Sequence, residues 1–286
     1  MTMRLFEQCP LGCEANLLET SITLPEGALR QCPNCKQLLS ACDKAWYEES
    51  MQEFDQPQGT LPTGKSAARY AARMGSILRG AANRLGIPPR ELRLLDVGCS
   101  SGALLKVAHE NGFQVSGAEP APQAAQTAQS MGFDVFPGFL QDAHFPDNHF
   151  DIVTLFEVIE HLTDPIALVS EIRRILKPGG ILLLGTANAS SWTVGFIGNR
   201  WEYFDIRSHG GHISFFNPTS TRLLAERTGF EVARISTKRV NMGERKDLSV
   251  LSYNVNRLLR EILALPARWF GKGHDMLAVL RKPEGS

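Results

Sequence analysis

The chain has no surplus of charge: 30 Lys and Arg stand against 30 Asp and Glu over 286 residues. A balanced sequence feels no global pull toward nucleic acid or anionic lipid. Long apolar runs are missing too. The longest, residues 181–185 and 152–159 (the second broken by Thr154 and Glu157), stop far short of the roughly 18 residues a membrane-spanning helix needs. Residues 1–7 hold no apolar core of the kind a secretory signal carries, which gives the expectation of a cytoplasmic protein. There is no internal repeat and no low-complexity tract. What remains is ordinary for a globular chain, 43% hydrophobic and 21% charged. At about 150 residues per domain, the length allows one large domain with an appendage, or two small ones.

The charge is unevenly placed. Residues 1–60 hold four basic and nine acidic side chains, whereas residues 238–286 hold ten basic and five acidic. Two solvated faces of opposite sign account for this, and the acidic N-terminal stretch argues against an RNA-binding role there.

Along the chain, a cysteine-bearing stretch at 9–42 is followed by a Gln-, Pro- and Gly-rich linker at 56–64. Residues 67–85 carry apolar side chains at helical spacing and end at Gly86. From residue 92 the pattern alternates. Strands are expected at 92–97, 114–118, 134–136, 150–156 and 181–185, with helices at 102–111, 122–131 and 165–176 between them. Such alternation gives a parallel sheet with helices on both faces, whose ligands bind at the carboxyl ends of the strands.

At the end of the first of these strands, Leu94-Leu95-Asp96-Val97-Gly98-Cys99-Ser100-Ser101-Gly102 is an apolar run entering a glycine-punctuated turn. Glu119 follows 21 residues after Gly98, closing the next strand, where a carboxylate can accept ribose hydroxyls. A dinucleotide fingerprint wants glycine where this chain has Ser100 and Ala103; its absence argues against NAD or FAD. A purely structural turn is the alternative.

With LLDVGCSSG (94–102), GAEP (117–120), FPDNHFDIVTLFEVIEHL (145–162) and LKPGGILLLGTAN (176–188), the sequence resembles the class I S-adenosylmethionine-dependent methyltransferases over about three quarters of its length. HISFFNP (212–218) and LLAERTGFEV (223–232) look like the branch holding small-molecule and ubiquinone-pathway enzymes. The resemblance implies an α/β fold, a doubly wound, mostly parallel seven-stranded sheet. It also implies roles. Asp96, Gly98, Cys99 and Gly102 would line the methionine part of S-adenosylmethionine, and Glu119, with Pro120 beside it, would hold the ribose. Phe139 and Leu140 would contact adenine, and Phe156 and Glu157 would close the cofactor site. The family often has Asp at the position of Phe139, which leaves stacking and backbone groups, or Asp142, to hold the adenine.

Methyl transfer from a sulfonium needs nucleophile, methyl and sulfur held in line, and a hydroxyl acceptor gains from a nearby base. Of seven histidines, His109, His144, His149 and His274 read as surface residues. His161 follows Glu160 just past the fourth strand, and His209 and His212 fall in the insertion after the fifth. His212 and His161 are the catalytic candidates; helix start or packing is the other reading for His161. The insertion also carries Trp192, Phe196, Trp201, Tyr203, Phe204, Phe215 and Phe216, with Arg200 and Arg207, which suits either a lid over an acceptor or plain packing.

Cys9, Cys13, Cys32 and Cys35 form two pairs separated by 18 residues, a spacing that suits a structural Zn²⁺ in a zinc-ribbon-like segment. Four protein ligands leave no open position for catalysis. Cys42 is spare. Near the C-terminus, Leu251, Val255, Leu258, Leu259, Ile262 and Leu263 share one face of a helix at 248–265 that Pro266 is expected to end. It reads as a packed helix or lid, with a weak membrane-surface contact through 248–272 as the alternative.

The resulting expectation is a zinc-ribbon-like segment at 1–45, a linker and helix at 46–90, and a methyltransferase domain at 91–286 with insertions at 189–216 and 241–272. The function expected is methylation of a small-molecule or glycan-type acceptor, at oxygen. An RNA methyltransferase, or a non-catalytic cofactor-binding protein acting through its ribbon, are the alternatives.

Overall fold

Leucine- and valine-rich runs bounded by glycine pair into a sheet whose two faces alternate along every strand. The computed structural model describes residues 4–52, 61–206, 211–241 and 250–285, with backbone alone for 51, 52 and 250–258. Arg207, His209, most of the linker and the side chains of Leu251, Val255 and Leu258 lie outside the described residues.

The N-terminal segment forms β1 (Leu18–Leu24), β2 (Gly27–Gln31), β3 (Leu38–Leu39) and α1 (Lys44–Gln52), and α2 (Gly64–Leu85) then leads into the main domain. There follow β4 (Arg93–Val97), α3 (Ala103–Glu110), β5 (Gln114–Ala118), α4 (Pro122–Ser130), β6 (Asp134–Phe136), β7 (Phe150–Phe156), α5 (Pro165–Ile175) and β8 (Leu176–Ala187). The chain ends with α6 (Trp192–Ile197), β9 (Ser214–Phe215), α7 (Pro218–Arg227), β10 (Glu231–Lys238), α8 (Val250–Trp269) and β11 (Asp275–Arg281).

The main sheet has seven strands in the order β10-β11-β8-β7-β4-β5-β6. β4 to β8 pair in parallel, while β11 runs antiparallel to both β8 and β10. Strand order reverses between β4 and β7, which opens a crevice at their carboxyl ends. One face of the sheet buries Leu95, Val97, Val153, Leu155, Leu182 and Leu184. The other buries Leu94, Ile152, Ile181 and Leu183 against Met74, Leu78, Ala81 and Ala82 of α2.

Two boundaries differ from expectation. β8 starts at Leu176, because Gly179 N–H donates to Lys282 O and Lys282 N–H to Gly180 O, drawing the Lys-Pro-Gly-Gly stretch alongside the chain after β11. Pro266 does not end α8, which runs to Trp269. Proline removes one helical donor, and the next turn is held by Phe270 N–H to Pro266 O at 2.9 Å before left-handed Gly271. The expected apolar face of α8 is only partly covered: Leu259 and Leu263 are half-buried, while Ile262, Leu265 and Trp269 are exposed.

The N-terminal strands make a second sheet, β1-β2-β3-β9, whose last strand comes from the insertion after β8. Of that insertion's aromatic residues, Trp201, Tyr203, Phe204, Phe215 and Phe216 are buried and Phe196 is exposed. Most of these rings pack the insertion onto the domain.

Candidate active site and metal centre

The turn after β4 depends on backbone that side chains disfavour. Gly98 has φ 73° and faces Val158, whose Cγ2 a Cβ would approach to 2.5 Å. Gly102, at φ 83°, precedes α3. Ser100 also adopts a positive φ of 47°, and its N–H donates to Oε2 of Glu119 at 2.7 Å. The other oxygen of Glu119 accepts from Ala121 N–H at 2.8 Å. Glu119 is buried, and burial raises its pKa while the two backbone bonds pull it back down. Asp96, also buried, accepts a 2.6 Å bond from the Thr154 hydroxyl and is pushed up to about 7 by desolvation. Cys99 lies buried in the same turn with its thiol pushed up by desolvation. Pro120, next to Glu119, is exposed, and past β6 Phe139 is 63% exposed, Leu140 is turned into the core and Asp142 is exposed.

The turn after β7 gathers carboxyl groups. Glu157 adopts φ 53°, a cost for a non-glycine residue, and its N–H donates to Gly185 O at 2.9 Å. Its Oε2 lies 2.7 Å from the phenol oxygen of Tyr203. That phenol also bonds to Oε1 of Glu160 and sits 3.2 Å from the Thr186 hydroxyl, which reaches Oε2 of Glu160 at 3.0 Å. One phenol proton cannot serve two carboxylates equally, which favours the protonated form of one of them. Desolvation and the neighbouring like charge hold Glu160 well above the ordinary carboxyl range, and desolvation raises Glu157. His212 is buried behind Tyr203, donating from Nδ1 to the Tyr203 carbonyl at 3.0 Å and turning Nε2 toward Glu160 at 3.8 Å. His161 packs its ring 4.6 Å from that of His212. Ligand atoms of Glu160, His161 and His212 lie within 4.8 Å of one another, close enough to share a proton or a cation.

Beside this cluster lies a cavity of about 580 Å³, bordered by Tyr70 and Arg73 of α2, Phe156, Glu157, Tyr203 and His274 among others. Neither His161 nor His212 borders it. His274, expected at the surface, does: β11 is antiparallel, so its first residues fall at the carboxyl ends of the parallel strands. Tyr203 and Glu160 were hidden from sequence reasoning, the first among many aromatic residues and the second in the shadow of His161.

Cys9, Cys13, Cys32 and Cys35 are all buried, with their sulfurs within 4.8 Å of one another. The Cys9–Cys35 sulfur separation is 3.6 Å, and all six cysteines are free thiols. Packed without a counter-charge, the thiols compete: a hydrogen bond from Cys35 draws Cys9 down to about 5, while burial pushes Cys13 up to about 12. A divalent cation resolves that competition, so this donor set fits Zn²⁺.

Sheet order and crevice define the class I methyltransferase architecture. A family model described as a methyltransferase domain matches residues 69–235, and the chain belongs to this family of S-adenosylmethionine-dependent methyltransferases. The chain is 32% identical over 123 residues to the ubiquinone biosynthesis O-methyltransferase of Cereibacter sphaeroides (strain ATCC 17025 / ATH 2.4.3), covering 40% of this chain and 50% of that protein. Identity to the enzyme of the same name from Dinoroseobacter shibae is 30% over 154 residues, covering 50% of this chain and 62% of that protein. The chain thus spans about half the length of the first of these curated relatives. A crystal structure of a SAM-dependent methyltransferase from Archaeoglobus fulgidus superposes with a TM-score of 0.51 at 19% identity, covering 73% of this chain and 94% of that one. That likeness is one of fold. No helix among the described residues is long and apolar enough to cross a membrane.

Proposed function

We propose that the protein methylates a hydroxyl oxygen of a small-molecule or glycan-type acceptor. The observation that carries this reading is the Glu157–Tyr203–Glu160 cluster, two carboxyl groups hydrogen-bonded to one phenol, of which Glu157 and Tyr203 border the cavity. Bound S-adenosylmethionine would supply an electrophilic methyl group on a sulfonium. Asp96, Gly98, Cys99 and Gly102 hold its methionine portion, and Glu119 with Pro120 its ribose. Phe139 offers a ring for adenine to stack on and Leu140 its backbone, since its side chain is buried. Phe156 and Glu157 close the site.

The methyl group would go to the acceptor oxygen, with S-adenosylhomocysteine as the departing thioether. The proton of the acceptor hydroxyl passes to Glu157, the carboxyl group that borders the cavity. Tyr203 and Glu160 adjust the proton affinity of Glu157, and His212 and His161 position them from behind. The N-terminal cysteines hold a structural Zn²⁺. Exposed Leu265, Trp269 and Phe270 beside Arg268 and Lys272 support a weak contact of α8 with an anionic lipid surface.

The deciding experiment supplies methyl-labelled S-adenosylmethionine to the purified protein with a fractionated cell extract. Label in small molecules as an O–CH₃ group is the expected result. Label confined to RNA, or no turnover despite tight S-adenosylhomocysteine binding, would replace this reading with one of the alternatives.

A further inference from the structure

The cysteine segment and the acceptor side of the site are joined through one short stretch of backbone. Residues 212–217 run between them. On the outer side β9 pairs with β3, Leu38 opposite Phe215 and Leu39 opposite Ser214, and Ser40 N–H donates to Ile213 O at 2.8 Å. Buried Gln37 donates from Nε2 to the Ser214 hydroxyl at 2.5 Å. Asn217, whose Oδ1 caps α7, donates from Nδ2 to the carbonyl of Cys35 at 3.3 Å.

On the inner side the same stretch meets the turn that bears the acid cluster. Ile213 N–H donates to Glu160 O at 3.0 Å. From α1, the Tyr47 hydroxyl donates to His161 O at 2.9 Å. The carbonyls of Glu160 and His161 are therefore both held by donors that the N-terminal segment places. No hydrogen bond among the described residues ties that segment to the glycine turn or to Glu119, which are held by β4, β5 and each other.

A two-residue strand cannot hold itself in register. A ribbon of about 45 residues lacks a core of its own and folds on its metal or its docking surface. Each half of the β3–β9 junction thus depends on the other. We infer that the four-cysteine ribbon is a clamp that positions the Glu157–Glu160 turn and His212, with Gln37 and Tyr47 as its positioning residues, and leaves the cofactor side alone. The catalytic meaning of the clamp rests on the acid cluster's proposed role.

The test is hydrogen exchange on the full-length, zinc-loaded protein, on the same protein after chelation under reducing conditions, and on zinc-loaded Tyr47→Phe and Gln37→Ala. These two substitutions leave the cysteines intact, so they remain informative where the stripped protein loses its fold. Amides at 157–162 and 211–217 should exchange about tenfold faster or more in the variants, with those at 94–102 and 116–121 unchanged. Affinity for S-adenosylhomocysteine should stay within about twofold. Equal acceleration everywhere in the variants, or none, overturns the clamp. Glu157→Gln separates the two readings: full methyl transfer by that variant defeats the proposed chemistry, while selective exchange in Tyr47→Phe still establishes the clamp. Once an acceptor is in hand, Tyr47→Phe should lower kcat without raising KM for the methyl donor.

Discussion

The phenol oxygen of Tyr203 stands 2.7 Å from Oε2 of Glu157, and this bond lowers the proton affinity of a carboxyl group that burial has raised. A base works only after it has lost its proton, so turnover should climb with pH through the raised pKa of Glu157. Glu157→Gln should lose about two powers of ten or more in kcat. Tyr203→Phe removes the interaction that favours the carboxylate and should move the rising limb to higher pH. A limb that stays in place, or moves to lower pH, would show that Tyr203 does not set the proton affinity of the base.

Asp96 makes the folded protein sensitive to pH in a direction opposite to an ion-paired carboxylate. Its pKa is about 7 folded, raised by burial from an ordinary value of 3.8. The folded state therefore binds the proton more tightly than the unfolded chain. The associated stability is fully present below the ordinary value and is lost as pH rises through about 7. At ~1.4 kcal/mol per pKa unit the swing is a few kcal/mol. Asp96→Asn keeps an acceptor for Thr154 and should flatten that dependence, as read from denaturant unfolding at several pH values across the window. An unchanged slope would mean that other buried carboxyl groups carry it.

The parallel sheet was legible because its strands are short apolar runs and its turns are glycines; Asp96, Gly98 and Glu119 sit where those patterns end. Tyr203 and His274 were not legible. Their place in the site comes from the course of the insertion and from the antiparallel run of β11, neither of which leaves a local periodicity. The cysteine spacing announced a cluster of four sulfurs, but the pairing of β3 with β9 joins residues about 175 apart in sequence, and nothing in a two-residue strand signals its partner. Pro266 misled because proline is a helix breaker only where the lost bond and the ring clash decide.

At α8, Ile262, Leu265 and Trp269 fall on one exposed helical stripe, with Phe270 following. Flotation with vesicles rich in phosphatidylglycerol should carry a fraction of the protein upward at low salt, and Trp269→Ala with Phe270→Ala should abolish it. Equal flotation with neutral vesicles would remove the charge component, and none with either would remove the contact.

The cysteine centre should hold one zinc per chain by elemental analysis. Cobalt replacement should give the intense visible absorption of a tetrahedral thiolate site, lost in Cys32→Ser. Cys42→Ser, outside the cluster, should leave the spectrum unchanged. An unaltered spectrum in Cys32→Ser would break the assignment of that cysteine as a ligand.

Glu119 has two tasks that substitution can separate. Both its oxygens already accept backbone N–H groups, from Ser100 and Ala121, and so fix the glycine turn; the proposed ribose hydroxyls would use their remaining lone pairs. Alanine removes both tasks. Glutamine keeps one acceptor oxygen but presents an amide N–H₂ toward a donor that needs an acceptor. Charged-group hydrogen bonds contribute about 1.5–3 kcal/mol each, so Glu119→Ala should weaken S-adenosylhomocysteine binding about a hundredfold. Glu119→Gln should fall between that and the parent protein, with Ser100 exchanging its amide proton faster in both. Calorimetric titration decides: unchanged affinity in Glu119→Ala would move the ribose site elsewhere along the sheet edge, whereas a graded loss fixes it at the end of β5.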